Sequence, residues 1–151
     1  QPVFNGAQAE GCSPVATAFA EGWDVCKPQR PDTIAKSLAI GDPADGPYAV
    51  EQARRTKGAI ESVNDDEIRD AISLLAETTG IFTETAGGVT VAVLAKLAQR
   101  GDIDPDERVV AYITGDGLKT LDVARGTFEA WEIEPSIESF EAAHERVAAV
   151  A

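Results

Sequence analysis

The chain has 151 residues, 44% hydrophobic and 26% charged, enough for one domain with a buried core. Asp and Glu number 26 against 13 Lys and Arg, and a net charge of −13 argues against nucleic acid or an anionic membrane as a partner. No apolar run approaches the length of a membrane span and no signal peptide is visible, so the expected compartment is the cytoplasm.

The acidity is spread over helix-like segments such as NDDEIRDAISLLAE (64–77) and PSIESFEAAHE (135–145), as on a solvated surface or in a protein from a salty habitat. Two cysteines in a chain this size do not make a disulfide framework. Cys12, in GCSPVATAF, and Cys26, in WDVC, both read as buried free thiols. The chain contains no methionine, and it opens on QPVFNGAQAEG, which reads like the end of a strand. A piece of a longer polypeptide is expected.

In chain order, VFNGAQA (3–9) predicts a strand leading to a bend at Gly11. Ser13-Pro14 then fits a helix start, with Ser13 as N-cap and Gly22 as the stop. WDVCKPQRPD is a proline-punctuated connection, DTIAKSLAI (32–40) a short helix, and GDPADGPYAV a loop with three turn signals. YAVEQARRT (48–56) reads as a helix ending at Gly58, and AIESV (59–63) as a strand.

Asn64 opens the clearest helix. Glu67 stands at the capping-box spacing, and Ile68, Ala71, Ile72 and Leu75 share one face before Gly80. IFTET (81–85) is a short extended segment, followed by a helix over GGVTVAVLAKLAQR (87–100) with Val89, Val93, Leu94 and Leu97 on one side. RVVAYIT (108–114) has the continuous apolar character of a strand covered on both faces. TFEAWEIEP (127–135) is a further strand-like run, and a last helix is expected over 136–149. Strands alternating with helices at this spacing predict a layered α/β/α fold with a mainly parallel sheet, in a single domain over 1–151.

In such sheets ligands bind beyond the carboxyl ends of the strands. Two loops qualify: FTETAGGVT (82–90) and ITGDGLK (113–119). Gly115 and Gly117 allow tight turns and close approach of a flat ligand, and Thr114 offers one neutral hydroxyl. Such a hydroxyl against a heteroaromatic nitrogen leaves that nitrogen largely unprotonated, which for a pyridoxal cofactor favours elimination and replacement over transamination. A plain strand end with a Thr-Gly turn reads from the same loop. Glu84 and Thr85, then Ala86-Gly87-Gly88 at a helix start, suit a planar ligand or an anion, although a glycine pair at a helix start is common.

Taken together, the sequence resembles the C-terminal part of the threonine synthases, within the fold type II pyridoxal-phosphate enzymes. The resemblance rests on four stretches in order: GAQAEGCSPV, TIAKSLAIGDPADG, the Glu84-x-Ala86-Gly87 loop and VVAYITGDGLK. They cover residues 6 to 122, and they are specific as a set rather than singly. The resemblance implies that Thr114 faces the pyridine nitrogen of pyridoxal 5'-phosphate. It also implies that Glu84, Ala86 and Gly87 line one side of the ring, and that Gly115, Asp116 and Gly117 shape the pocket floor. Gln8 and Ile40-Gly41-Asp42-Pro43 fall in matching stretches without an assigned role. Thr85 in place of the usual proline, Gly88 and Val89 in place of small alanines, and Asp116 where Asn is frequent leave the subfamily open.

The family's Schiff-base lysine, the Asn at the cofactor's 3′-oxygen and the phosphate-cradling loop have no counterpart here. Lys27, Lys36, Lys57 and Lys96 read as solvated charges, Lys119 follows the pocket loop, and none has the surroundings of a desolvated nucleophile. His144 reads as a surface residue, and no metal-ligand cluster, Ser/His/Asp constellation or P-loop is present. The implied parent enzyme converts O-phospho-L-homoserine and water to L-threonine and phosphate. The chain alone is expected to be inactive, not to bind the cofactor, and to associate with itself through exposed apolar surface. A threonine or serine dehydratase fragment and a non-catalytic α/β ligand-binding module are the alternatives.

Overall fold

Two short parallel strands organise the computed structural model, which describes residues 2–124, 126 and 132–148. Strand β1 (Gly6–Ala9) pairs with β2 (Ile60–Val63), Gly6 opposite Ile60 and Ala9 opposite Val63. Side chains alternate across a strand. Ile60 therefore faces helices α1 (Pro14–Ala20) and α2 (Gly46–Thr56), packed with Val15, Ala18, Val50 and Ala53. Ala9 and Val63 face α3 (Asp65–Thr79) and α4 (Thr85–Arg100), in a cluster with Ile68, Ile72, Val89, Val93 and Leu97. Helices on both faces of a parallel pair give the layered α/β arrangement that the alternation predicts.

Helix α3 begins as its sequence dictates. The Asn64 side chain accepts from the backbone N–H groups of Asp66 and Glu67 (3.0 and 2.9 Å), and Glu67 Oε2 accepts from Asn64 N–H at 2.7 Å. Gly80 ends it with φ 75°. Helix α4 starts at Thr85, two residues before the glycine pair, and crosses α3 closely at Gly88. A side chain at Gly88 would press to 2.8 Å from Ile72 Cγ1 and 2.9 Å from the Ile68 carbonyl oxygen.

Helix α1 departs from its expected cap. Ser13 occupies the N-cap position, but its hydroxyl donates to Glu10 O (3.2 Å) and leaves the helix donors alone. Gln8, projecting from β1, accepts from the N–H groups of Val15 and Ala16 at 2.9 Å each. The otherwise unassigned Gln8 thus ties strand to helix.

Two expectations fail, and a third is tested only in part. The helix over 32–40 shrinks to a 3-10 turn at Lys36–Leu38. The Asp65 carboxylate accepts from the Thr33 hydroxyl (2.6 Å) and Ile34 N–H (3.1 Å), holding the entry out of helical geometry. The apolar run 108–114 forms no strand and makes no backbone hydrogen bond among the described residues, and Val110 and Tyr112 are 72% and 75% exposed. The described residues offer no strand beside it, since β1 and β2 pair only with each other. Of the run 127–135, residues 127–131 lie outside the described residues and 132–135 form no strand.

IFTET contributes a single antiparallel bridge, Thr83 with Asp116. Cys12 is buried as expected, whereas Cys26 is only half-buried. The final helix is α5 (Ile137–Ala148). No helix among the described residues is long and apolar enough to cross a membrane.

The capping box gives a direct check. Asn64→Ala is expected to lower unfolding free energy by about 1 kcal/mol, read as a lower urea midpoint at constant slope. Asn64→Ser should restore most of the loss. An unchanged midpoint in Asn64→Ala would show that α3 does not need this cap.

Candidate functional site

The two candidate loops, far apart in sequence, are stitched together. The carbonyl of Gly115 accepts from the Thr83 hydroxyl at 3.0 Å and from Glu84 N–H at 3.2 Å. Phe82 O accepts from Gly117 N–H at 3.1 Å. These bonds lay residues 115–117 along residues 82–84, immediately before α4, with Gly115 against Glu84 and Asp116 opposite Thr83.

The glycines at this junction serve close approach within the chain. A Cβ on Gly115 would run into the Glu84 carboxylate, one on Gly117 into the Phe82 ring, and one on Gly87 into the Thr83 side chain. Asp116 is exposed, and its Oδ1 accepts from Leu118 N–H at 2.8 Å. Its carboxylate therefore closes the turn that starts the 3-10 segment Gly117–Ala124, which is kinked at Thr120.

The polar groups divide into engaged and free. Glu84 is 7% exposed and stands at the N-cap of α4, yet its side chain caps nothing. Its Oε1 lies 3.5 Å from Lys119 Nζ, an ion pair open to solvent on the lysine side. Thr85 is fully buried, and its hydroxyl has no hydrogen-bond partner among the described residues. Thr114 is exposed, and its hydroxyl has none either.

The five lysines lie in solvated or paired positions. Lys27 sits over the Trp23 ring (3.5 Å), Lys96 bonds Ser62 O (2.9 Å) and pairs with Glu61 (3.5 Å), and Lys36 and Lys57 are exposed. Burial pushes the Cys12 thiol up, and burial with the Asp42 charge pushes Cys26 up, so neither is a ready thiolate. His144 is exposed on α5 beside Phe140. Among the described residues no group of three or more His, Cys, Asp or Glu could hold a metal ion.

Reading the sequence alone missed Thr83 as the donor in the stitch, Phe82 as the wall behind Gly117, the Glu84–Lys119 pair and the orphaned Thr85 hydroxyl. The first three join residues about thirty-five positions apart, and no periodicity reports such a contact. For the fourth a signal existed: a hydroxyl-bearing residue stands at the first turn where the resembled family has proline.

The profile of the pyridoxal-phosphate dependent enzyme family matches residues 2–115. A threonine synthase of Methanocaldococcus jannaschii is 41% identical over 135 residues, covering 88% of this chain and 33% of that protein. A threonine synthase of a Bacillus species is 40% identical over 124 residues, covering 82% and 33%. The chain thus spans about a third of the length of these curated relatives. Among solved structures, threonine synthase from Escherichia coli superposes with a TM-score of 0.64 at 20% identity, over 93% of this chain and 32% of that one. At that identity the likeness speaks to the fold.

A pyridoxal ring fits these residues in one respect and not in another. The free Thr114 hydroxyl suits a ring nitrogen, whereas no lysine here is placed as a desolvated amine for covalent attachment.

The orphaned hydroxyl is open to test. Thr85→Val keeps the shape and removes a buried group that has no partner, so it is expected to raise stability by about 1 kcal/mol, seen as a higher melting temperature. A loss of stability would reveal a partner for this hydroxyl in solution.

Proposed function

The chain belongs to the pyridoxal-phosphate dependent enzymes, and on that premise we propose that it is the C-terminal portion of a threonine synthase. The parent enzyme converts O-phospho-L-homoserine and water to L-threonine and phosphate: the phosphate leaves from Cγ and water adds at Cβ. The observation that supports the reading is the stitch through Gly115 O, which ties the loop next to the unengaged Thr114 to the residues that open α4. Identities near 40% to threonine synthases over most of the chain support it.

In this reading the cofactor, when bound, supplies the electron sink that lets protons leave the substrate carbons. Thr114 would offer a neutral hydroxyl to the ring nitrogen without delivering a full proton, and the chemistry so supplied would favour elimination and water addition. Glu84, Ala86 and Gly87 form one side of the ring site. Gly115, Asp116 and Gly117 hold the loop that positions Thr114. The lysine that moves the protons and the phosphate cradle come from the other two thirds of the parent polypeptide. By itself this chain neither retains the cofactor nor turns over, and its exposed apolar run through Val110 and Tyr112 drives self-association.

The test has two parts. The chain is incubated with pyridoxal phosphate, dialysed, reduced with borohydride and mapped. No lysine should carry the label in stoichiometric amount, and one that does would overturn the assignment of the missing amine. Co-expression with the upstream two thirds of the Methanocaldococcus relative should restore threonine formation from O-phosphohomoserine. Thr114→Ala should then lower kcat about tenfold, the worth of one hydrogen bond. A reconstituted complex that deaminates threonine but does not form it would point to the dehydratase instead.

Light scattering on the chain alone should report a dimer or larger. A monodisperse monomer would remove the support for self-association.

A further inference from the structure

The Glu84 carboxylate is enclosed by the loop that the stitch holds. Its side chain is 9% exposed, and a Cβ on Gly115 would run into its Oε1. The same oxygen lies 3.5 Å from Lys119 Nζ. Between those two residues the chain reverses. Asp116 Oδ1 accepts from Leu118 N–H at 2.8 Å, and Asp116 O accepts from Lys119 N–H at 3.2 Å. Residues 115–119 therefore wrap one carboxylate, meeting it with backbone at Gly115 and with an ammonium at Lys119.

A carboxylate this buried keeps its charge at low cost only when it is paired. Among the described residues Lys119 is the one cation within ion-pair distance of it. The positive end of α4 favours the same charge, but the Glu84 side chain makes no capping hydrogen bond to that helix. Without the ammonium, the carboxylate is relieved most cheaply by reaching water, and the loop stands against it. The loop yields first, ahead of the helix pair beneath it.

We propose that Lys119 is a positioning residue: by pairing with the buried Glu84 carboxylate it holds residues 115–117 on residues 82–84, and with them the neighbouring Thr114. The consequence for Thr114 rests on the function proposed above, whereas the latch itself does not.

Amide hydrogen exchange on the full chain, followed by NMR without cofactor or substrate, reads the latch at two backbone donors of the stitch, Glu84 N–H and Gly117 N–H. Lys119→Met should speed exchange at both by about tenfold, more than an exposed pair would give and less than a fully buried one. Lys119→Arg keeps the charge and should restore most of the protection, while amides at the centre of α3 keep their original rates in both variants. In a Glu84→Gln background no charge is left to pair, and Lys119→Met should leave both rates unchanged. Unaltered exchange in Lys119→Met, equal acceleration across α3, no rescue by Lys119→Arg, or the full effect persisting beside Glu84→Gln would each overturn the proposal. A failed latch leaves the proposed threonine-synthase function standing, and an absence of threonine formation in the reconstituted complex leaves the latch standing.

Discussion

The carbonyl oxygen of Gly115 holds the candidate site together. It accepts two hydrogen bonds, from the Thr83 hydroxyl and Glu84 N–H, and so uses both lone pairs in a partly buried place. Glu84 N–H would otherwise be one of the unsatisfied donors that precede every helix. The stitch therefore performs two tasks: it satisfies the entry to α4 and fixes residues 114–117 against it. The small residues around it follow from the same bond. The two loops approach so closely that a Cβ on Gly115 would meet the Glu84 side chain and one on Gly117 the Phe82 ring. Sequence glycines that suit a flat ligand are, in the folded chain, the condition for the loops to meet.

That junction needs a rigid floor, and α3 with α4 provides it. Gly88 lets the helices cross within contact of the Ile68 backbone, and the buried faces of Ile68, Val89, Val93 and Leu97 complete the seam below β1 and β2. Glu61 of β2 pairs with Arg100 at 2.8 Å and with Lys96 at 3.5 Å, on the strand face that looks toward α4. These pairs are half exposed and contribute little individually. Their geometry nevertheless keeps charge at the rim of the seam and leaves its interior apolar. The N-terminus of α4, and with it Glu84 and Thr85, is thus positioned by packing that extends across the helix pair.

What the sequence made legible was local chemistry. The capping box at Asn64, the stop at Gly80, the faces of α3 and α4 and the two strands that pair all depend on residues a few positions apart, and they stand where periodicity places them. Illegible were the contacts in which a distant side chain wins over a local preference. Gln8 takes the donors of α1 from Ser13, and the Asp65 carboxylate unwinds the expected helix at 32–40. The run 108–114 is instructive in another way. Its composition describes the surroundings a segment suits, namely cover on both faces, while strand pairing also requires a neighbour with free backbone groups. Among the described residues β1 and β2 pair only with each other and the run pairs with neither, so Val110 and Tyr112 face solvent. The seven candidate residues were legible as two loops, and the bond that unites them was not.

Among the described residues two buried side-chain groups lack a partner, the Thr85 hydroxyl and Arg69 Nη1, and they carry different weight. A buried hydroxyl lacking a partner costs roughly 1–3 kcal/mol, within what a helix packed as tightly as α4 absorbs. It can persist as a structural expense and does not by itself demand a ligand. A guanidinium N–H is another matter, because the charge remains whatever its surroundings and its burial penalty is larger. Arg69 is nevertheless only half-buried, so solvent screens its charge, and Asp66 stands three residues earlier on the same helix with the opposite sign.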